Sequence, residues 1–567
     1  MSVVKCLSKT RARTSDLIVV GSGISGIMTA WHAAQKGYCV ELFSKSPDPR
    51  IELPLDVNKE SSTFDSKNDQ RYVTIFEGHP YLEHDGYINK VYPGIAKDFE
   101  TDVLSGGILV SPYKKFPRAS RVWLDERSEL NKKLLSKTPE DTRRVADLFD
   151  SYTRENRAAM EKWFGIIIDL VHHTPEILGN LSLHSNGIVR LYDNTEVFNQ
   201  SRASHQEEGV FIKEYTPQEL IKKYSAYREG VQRGFIAGGA IEVYGLAFAV
   251  GVFCREVLDR LERMGVKLNF KTEVQKVLIN SEKKVEGVLL FGEGMARVAN
   301  NYAFHTGAFA GPELFEFIPQ AQHKLAAVEG YWITIENADR IVAGMGNKPN
   351  KVHGKKSLGE MLAMVDGSSA RRYLKRLKEL GVDNKILDDI APIVDFNNMP
   401  IRRNGQTSLG VGSGYVFKGV AKRGNDGRVE FKDTSKSGKF VLTVMELWLE
   451  ALHGKELVSA MTMHPVGCKR SYTPNDEELD VNIPTKSGGL CMIHDGGNTG
   501  STTKSPFIAE YILEKMGVAS KTGMEVVKVG EFSELRTGLG RSAKDIPGSR
   551  WKGLSDDLNR EVGKYQD

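Results

Sequence analysis

The first apolar run of the chain, Asp16-Leu17-Ile18-Val19-Val20, is short and rich in β-branched residues, the pattern of a strand buried on both faces. It passes directly into Gly21-Ser22-Gly23-Ile24-Ser25-Gly26. From there Ile27, Ala30, Trp31 and Ala34 fall at helical spacing and predict a helix over 27–36, with Gly37 placed to stop it. A second strand is predicted from Tyr38 to Phe43. Near the other end, Ser505 suits an N-cap and Pro506 a first helical position. Phe507, Ile508, Tyr511 and Ile512 then give one apolar face, and Gly517 closes a predicted helix. Ser368 to Leu380 reads as another helix, with Leu374, Leu377 and Leu380 on one side and Arg371, Arg372, Lys375, Arg376 and Lys378 around it. Those charges read first as a solvated face, with peripheral membrane contact as the alternative. The longest uncharged run near the middle, Val243 to Cys254, is too short to cross a bilayer.

Composition narrows the class. The 567 residues imply two to four folding units at roughly 100–200 residues each. Hydrophobic content of 40% with 26% charged residues excludes global disorder. The balance of 77 Lys+Arg against 73 Asp+Glu, net +4, gives nucleic-acid binding no support. The 55 glycines exceed the average of about 7% and point to tight turns and close backbone approaches. Five scattered cysteines (Cys6, Cys39, Cys254, Cys468, Cys491) without CxxC spacing indicate neither a disulfide framework nor a metal site. The basic N-terminal residues Lys5, Lys9, Arg11 and Arg13 lack an apolar stretch behind them, so a cytoplasmic location is expected, with organelle targeting the alternative. No Ser-His-Asp constellation, HExxH or P-loop supports a hydrolase or kinase.

The strand, glycine turn, helix and second strand together form the start of a dinucleotide-binding βαβ unit. Its glycines permit the tight turn, close pyrophosphate approach and helix packing. The helix N-terminus offers free N–H groups and partial positive charge to that pyrophosphate. Gly21, Gly23, Ile24, Ser25 and Gly26 are the predicted cradle. One position departs from the pattern: Ser44 stands where an Asp or Glu would hold the adenosine ribose. Ser44 can hydrogen-bond a ribose hydroxyl, and Ser44-Lys45 can instead suit a 2′-phosphate, so this motif leaves FAD and NADP open.

Three further segments carry a resemblance. They are Leu104-Ser105-Gly106-Gly107-Ile108; Thr272-Glu273-Val274 followed by His305-Thr306-Gly307-Ala308; and His494-Asp495-Gly496-Gly497-Asn498-Thr499-Gly500. In this order they resemble the FAD-dependent D-amino-acid dehydrogenase, glycine oxidase and sarcosine oxidase superfamily across about residues 14–520. The resemblance implies FAD as cofactor, with Gly106 and Gly107 passing the flavin. It also adds Val274 and Gly307 to the cofactor site, and brings Gly496, Gly497, Asn498, Thr499 and Gly500 beside the flavin pyrimidine edge. Preoriented N–H groups there would stabilise the reduced anion.

The resemblance also implies substrate residues. In Cys468-Lys469-Arg470-Ser471-Tyr472-Thr473-Pro474, Arg470 matches an arginine that binds the substrate carboxylate, and its planar fork suits that task. Cys468 has the spacing of a cysteine that attaches flavin covalently, although Lys-Arg-Ser-Tyr between it and Thr473 departs from that pattern. Tyr472, Tyr244 and Tyr331 are further catalytic candidates, and His494 is a candidate to face the flavin.

The implied fold class is α/β: a discontinuous Rossmann-like FAD-binding domain with an α+β substrate domain on a mostly antiparallel sheet. The FAD-binding domain is expected from 14–115, 232–325 and 465–535. The substrate domain is expected from 116–231 and 326–464, with insertions at 52–95 and 340–460 and a loosely held tail over 536–567. The expected activity is oxidation of a C–N bond in a small molecule carrying an amine and a carboxylate. The alternatives are FAD-dependent oxidation of a non-amine intermediate, or a dinucleotide-binding protein without catalysis. The sequence gives no oligomeric state.

Overall fold

The computed structural model describes residues 15–50, 72–75, 102–104, 108–110, 116–135, 159, 162–207, 209–353, 356–382, 384, 387–388, 396–403, 406–425, 427, 429–431, 435–459, 462–474, 478–495, 501–518 and 548–565. Two sheets organise these residues. The first is built on β1 (Ser15–Val20), α1 (Ile24–Gln35) and β2 (Val40–Phe43). It is completed by β6 (Lys267–Asn269), β7 (Ala299–Phe304), β13 (Leu479–Pro484) and β14 (Leu490–Asp495), in the order β6-β2-β1-β7-β14-β13. The first five strands are parallel and β13 runs antiparallel at the edge. The continuous apolar run of β1 is explained by burial on both faces. Leu17 and Val19 enter the core under α1 and α2 (Val250–Arg263). Ile18 and Val20 enter a second core under a three-stranded antiparallel layer spanning Val274–Ile279, Val285–Leu290 and Ala296–Arg297. The chain leaves β1 toward β2 on one side and β7 lies on the other, so a switch point falls at the carboxyl end of β1.

The second sheet has ten strands and is mostly antiparallel. Its main path joins β12 (Thr462–Tyr472), β8 (Ala326–Glu336), β11 (Gln406–Val420), β10 (Phe396–Arg403), β9 (Asn350–His353), β3 (Ile188–Tyr192), β5 (Gly239–Val243) and β4 (Phe211–Tyr215). Helix α4 (Ser435–His453) covers it, burying Phe440, Val444, Leu447, Trp448 and Ala451. Helix α3 (Gly367–Glu379) begins where Asp366 accepts from the Ser368 and Ser369 N–H groups at 2.8 and 3.1 Å.

Several expectations change. β5 and β12, expected with the cofactor domain, both pair into the large sheet. Strand Ile108–Val110 also meets that sheet, at Val416. The apolar side of α3, a candidate for membrane contact, is already covered: Tyr373 and Leu377 are buried with α4, and Arg372 and Arg376 pair with Glu450 and Glu446 of that helix. The expected loose tail contains α6 (Gly548–Gly563), whose Leu558 is fully buried in the same core as α1 and whose Ser555 hydroxyl donates to the Ser185 carbonyl at 2.7 Å. The predicted helix at Ser505 starts a turn earlier, as α5 (Ser501–Lys515), with Pro506 inside it. Among the described residues no helix is long and apolar enough to cross a membrane.

Candidate active site

The glycine turn is shaped by close backbone approach. Gly21 has φ +110°, and a Cβ there would overlap the His305 carbonyl oxygen. A Cβ on Gly26 would overlap the Gly21 carbonyl oxygen. Gly23 differs: it opens α1 as N-cap, a Cβ added to it would meet no atom within 4 Å, and it provides no side-chain cap. An open cradle in front of uncapped helical N–H groups fits a pyrophosphate. Ile24 is buried behind the cradle, and the Ser25 carbonyl accepts from the Thr29 hydroxyl at 2.9 Å.

Ser44 and Lys45 stand at the carboxyl end of β2. The Ser44 hydroxyl shares a 2.7 Å hydrogen bond with the Ser22 hydroxyl and accepts from the Ser46 N–H at 3.2 Å. Ser44 therefore ties the glycine turn to β2, and its carbonyl accepts from the Thr272 N–H at 2.8 Å. This brings the turn close to Val274, which is buried at the start of the three-stranded layer. The Lys45 ammonium lies 4.5 Å from the Phe309 ring centroid and donates to the Phe309 carbonyl at 3.4 Å. Burial pushes it down to about 8; Glu273 opposes the shift while Arg423 and Lys469 add to it.

At the ends of β7 and β14 the segments His305–Ala308 and His494–Asp495 meet. The Gly307 N–H donates to both Asp495 carboxylate oxygens at 3.0 Å, and the Thr306 hydroxyl donates to Oδ2 at 3.1 Å. Burial pushes the Asp495 carboxyl up to about 7, against those hydrogen bonds and the His494 charge. His305 is buried between the Thr29 hydroxyl (3.0 Å from Nε2) and the His494 carbonyl (3.2 Å from Nδ1), and burial holds it neutral, down at about 3. His494 does not stand free to face a ligand: its Nε2 lies 3.1 Å from Glu478 Oε2. Burial would lower its pKa, yet Asp480 and Glu478 raise it to about 9. The other Glu478 oxygen accepts from Lys504 Nζ at 3.1 Å, so one carboxylate holds residues on both sides of 496–500. Gly496, Gly497, Asn498, Thr499, Gly500, Gly106 and Gly107 lie outside the described residues.

The large sheet supplies the other wall. β12 packs against the Gly307–Phe309 turn. Arg470 pairs in register with Val328 of β8, and its guanidinium lies over Gly330: a Cβ there would stand 3.0 Å from Cζ and Nη2 and 3.2 Å from Nη1. Cys468 lies opposite Gly330 in the same register, its side chain outside the described residues. Trp332 follows on β8, with its ring across Gly410 and Gly412. Lys469 sits opposite Glu329, 3.3 Å away, and Lys418 approaches the same carboxylate at 3.3 Å. Burial would raise Glu329, but the two lysines bring it below its ordinary value. The Tyr331 hydroxyl donates to Glu329 Oε2 at 2.8 Å and so belongs to this ion cluster.

The remaining two tyrosines pack in different apolar clusters. Tyr472 is buried in an apolar cluster with Phe116, Trp123 and Phe417. Tyr244 packs at the first core, where burial and Asp556 of α6 raise its hydroxyl above the ordinary value. Trp332 and Glu478 carry no motif to mark them, because only the folded arrangement of the strands brings them into place.

The NAD(P)-binding Rossmann-like domain family model matches residues 19–52, the glycine turn and its flanks. Among curated protein sequences none matches the chain. Among solved structures, glycine oxidase from Geobacillus kaustophilus superposes with a TM-score of 0.50 at 11% identity, covering 91% of this chain and 98% of that one. The chain has the glycine oxidase fold. A modified fructosyl peptide oxidase from Aspergillus nidulans shares this fold, with a TM-score of 0.51 at 12% identity over 89% of this chain and 90% of that one. In the glycine oxidase fold of this chain, the cradle at Gly23 lies at the carboxyl end of β1, and the strand bearing Arg470 packs against the turn that follows β7.

Proposed function

We propose that the chain is an FAD-dependent oxidoreductase that oxidises a C–N bond in a small amine or amino acid bearing a carboxylate. The observation that carries this reading is the placement of Arg470: β12 abuts the Gly307–Phe309 turn, at the ends of the strands where a dinucleotide would bind. The open cradle at Gly23, the glycine oxidase fold and the fructosyl peptide oxidase that shares it support the reading. Bound FAD would accept the hydride from the C–H beside nitrogen, leaving an imine that water hydrolyses to a carbonyl product.

The chain's own residues have simpler work. Gly21, Gly23 and Gly26 leave room for the pyrophosphate, and the α1 N–H groups hold it. Ser44 braces that turn through Ser22, while Val274 lies near the adenosine end of the cradle. Arg470 forks the substrate carboxylate with two parallel hydrogen bonds and so fixes which C–H points to the cofactor. The Glu329 cluster keeps Lys469 and Tyr331 occupied beside it.

The visible spectrum of purified protein, taken before and after acid precipitation, tests the cofactor. Flavin bands released to the supernatant are expected, whereas colour retained in the pellet would assign Cys468 a covalent link. Anaerobic addition of amines and amino acids should bleach those bands for at least one carboxylated amine. A protein that takes up no flavin on reconstitution would overturn the reading.

A further inference from the structure

Gly330 is an anomaly on β8. Its φ lies outside the left-handed region, so the backbone does not require glycine, and a bare position weakens a strand interior. What occupies the missing side-chain volume is the Arg470 guanidinium: Cζ, Nη1 and Nη2 all stand 3.0–3.2 Å from the Cβ position, so the planar group lies flat on the β8 backbone. A second irregularity falls at the same place. Between Glu329 and Tyr331 the pairing with β11 jumps from Val416 to Ser413, placing an extra residue of β11 opposite Gly330. A bulge of this kind locally twists a sheet and re-aims side chains. The β12 side stays regular, with Val328 opposite Arg470 and Gly330 opposite Cys468. The Arg470 side chain therefore belongs to a strand in regular register and rests its head on a bare position of the neighbouring strand, opposite the bulge in β11.

From this geometry we propose that Gly330 is the positioning residue for Arg470, and that its missing side chain sets the depth and tilt of the guanidinium that receives the substrate carboxylate. The inference rests on the carboxylate role of Arg470 proposed above. A methyl at 330 forces the guanidinium outward by a few tenths of an ångström, and the branched side chain of valine forces it further. The three atoms nearest to the new Cβ all belong to the arginine head and none to backbone, so the strand itself has no reason to break.

The test uses holoprotein of wild type, Gly330→Ala, Gly330→Val, Arg470→Ala and the double variant Gly330→Ala/Arg470→Ala. Each is titrated with benzoate and with uncharged benzamide, reading the flavin absorbance change, and each is melted. Wild type should bind benzoate in preference to benzamide, and Arg470→Ala should lose that preference. Gly330→Ala should weaken benzoate several-fold and Gly330→Val by roughly a hundredfold, the scale of an ångström-sized misplacement, with benzamide unchanged in both. The melting temperature lost in Gly330→Ala should be absent when the same change is made in the Arg470→Ala background, because the group it displaces is gone. Benzoate binding unchanged in both Gly330 variants but lost in Arg470→Ala overturns the inference and leaves the carboxylate role standing. Benzoate preference retained in Arg470→Ala overturns the carboxylate role itself. If a Gly330 variant fails to fold alone and also fails with Arg470→Ala, the glycine serves the strand rather than the arginine, and the inference falls.

Discussion

Gly26 has no freedom to be anything else: its hydrogen faces the Gly21 carbonyl, and Gly21 in turn sits against the loop that follows β7. Gly26→Ala should reduce flavin retention on gel filtration and cost about 1–3 kcal/mol of stability in denaturant titration. Gly23→Ala, which meets no protein atom, should leave the apo form as stable as wild type and weaken only flavin uptake. The Glu478 carboxylate gives a different test. Glu478→Gln leaves the His494 and Lys504 cations buried with less compensation and should cost about 3–5 kcal/mol at pH 7. Because His494 is raised from 6.5 to about 9, its stabilising share is complete below 6.5 and disappears as the pH climbs through about 9. The gap in unfolding free energy between wild type and His494→Gln should therefore narrow between pH 7 and pH 10. A gap that stays constant would show that His494 is neutral when folded.

At the scale of elements, the helices and strands read best where one local pattern decides them. The run from Asp16 to Gly37 carries its own strand, turn and helix stop, and α1 differs from its prediction by starting at Ile24 and ending at Gln35. The start of α5 is harder to read because Ser505-Pro506 is a strong local start signal, while the helix already begins at Ser501. Pro506 is the sixth residue of α5, past the first four N–H groups, so the helix gives up one backbone hydrogen bond there. Helix α3 falls where its periodicity places it, but its partner is not legible: which face of a basic amphipathic helix is covered depends on α4, far along the chain. The docking of α6 is hidden for the same reason, since Leu558 and Val562 are sparse among charges. Leu558→Ala should cost about 2–5 kcal/mol, whereas the exposed Lys552→Ala should stay within about 0.5 kcal/mol. Thermal or denaturant melts of the two variants side by side check this.

For the whole molecule, the fold class and the glycine turn of the Rossmann-like unit are legible in the sequence because that turn needs particular residues at fixed spacing. The division between the two sheets is not, since strands such as β5 and β12 have the same composition whichever sheet they join. Arg470 is marked by its neighbours in sequence, but Gly330 and Trp332 beneath and beside it need the strand register. Arg470→Ala should raise KM for a carboxylated substrate at least tenfold, as expected for loss of a two-pronged charge-assisted contact. Steady-state rates would show it, and an unchanged KM would remove Arg470 from the site.

The parallel sheet joins segments far apart in sequence, with β1 beginning at Ser15 and β14 ending at Asp495, and α6 packs into the same core at residues 548–563. A ribosome adding about 5–20 residues per second takes roughly half a minute to two minutes between those points. For most of that interval the nascent β1 and α1 lack β14 and α5, and to its end they lack α6. The apolar faces of β1 and α1 must therefore wait, unshielded, for segments made hundreds of residues later, so a pause in translation between them should lower the yield of folded protein.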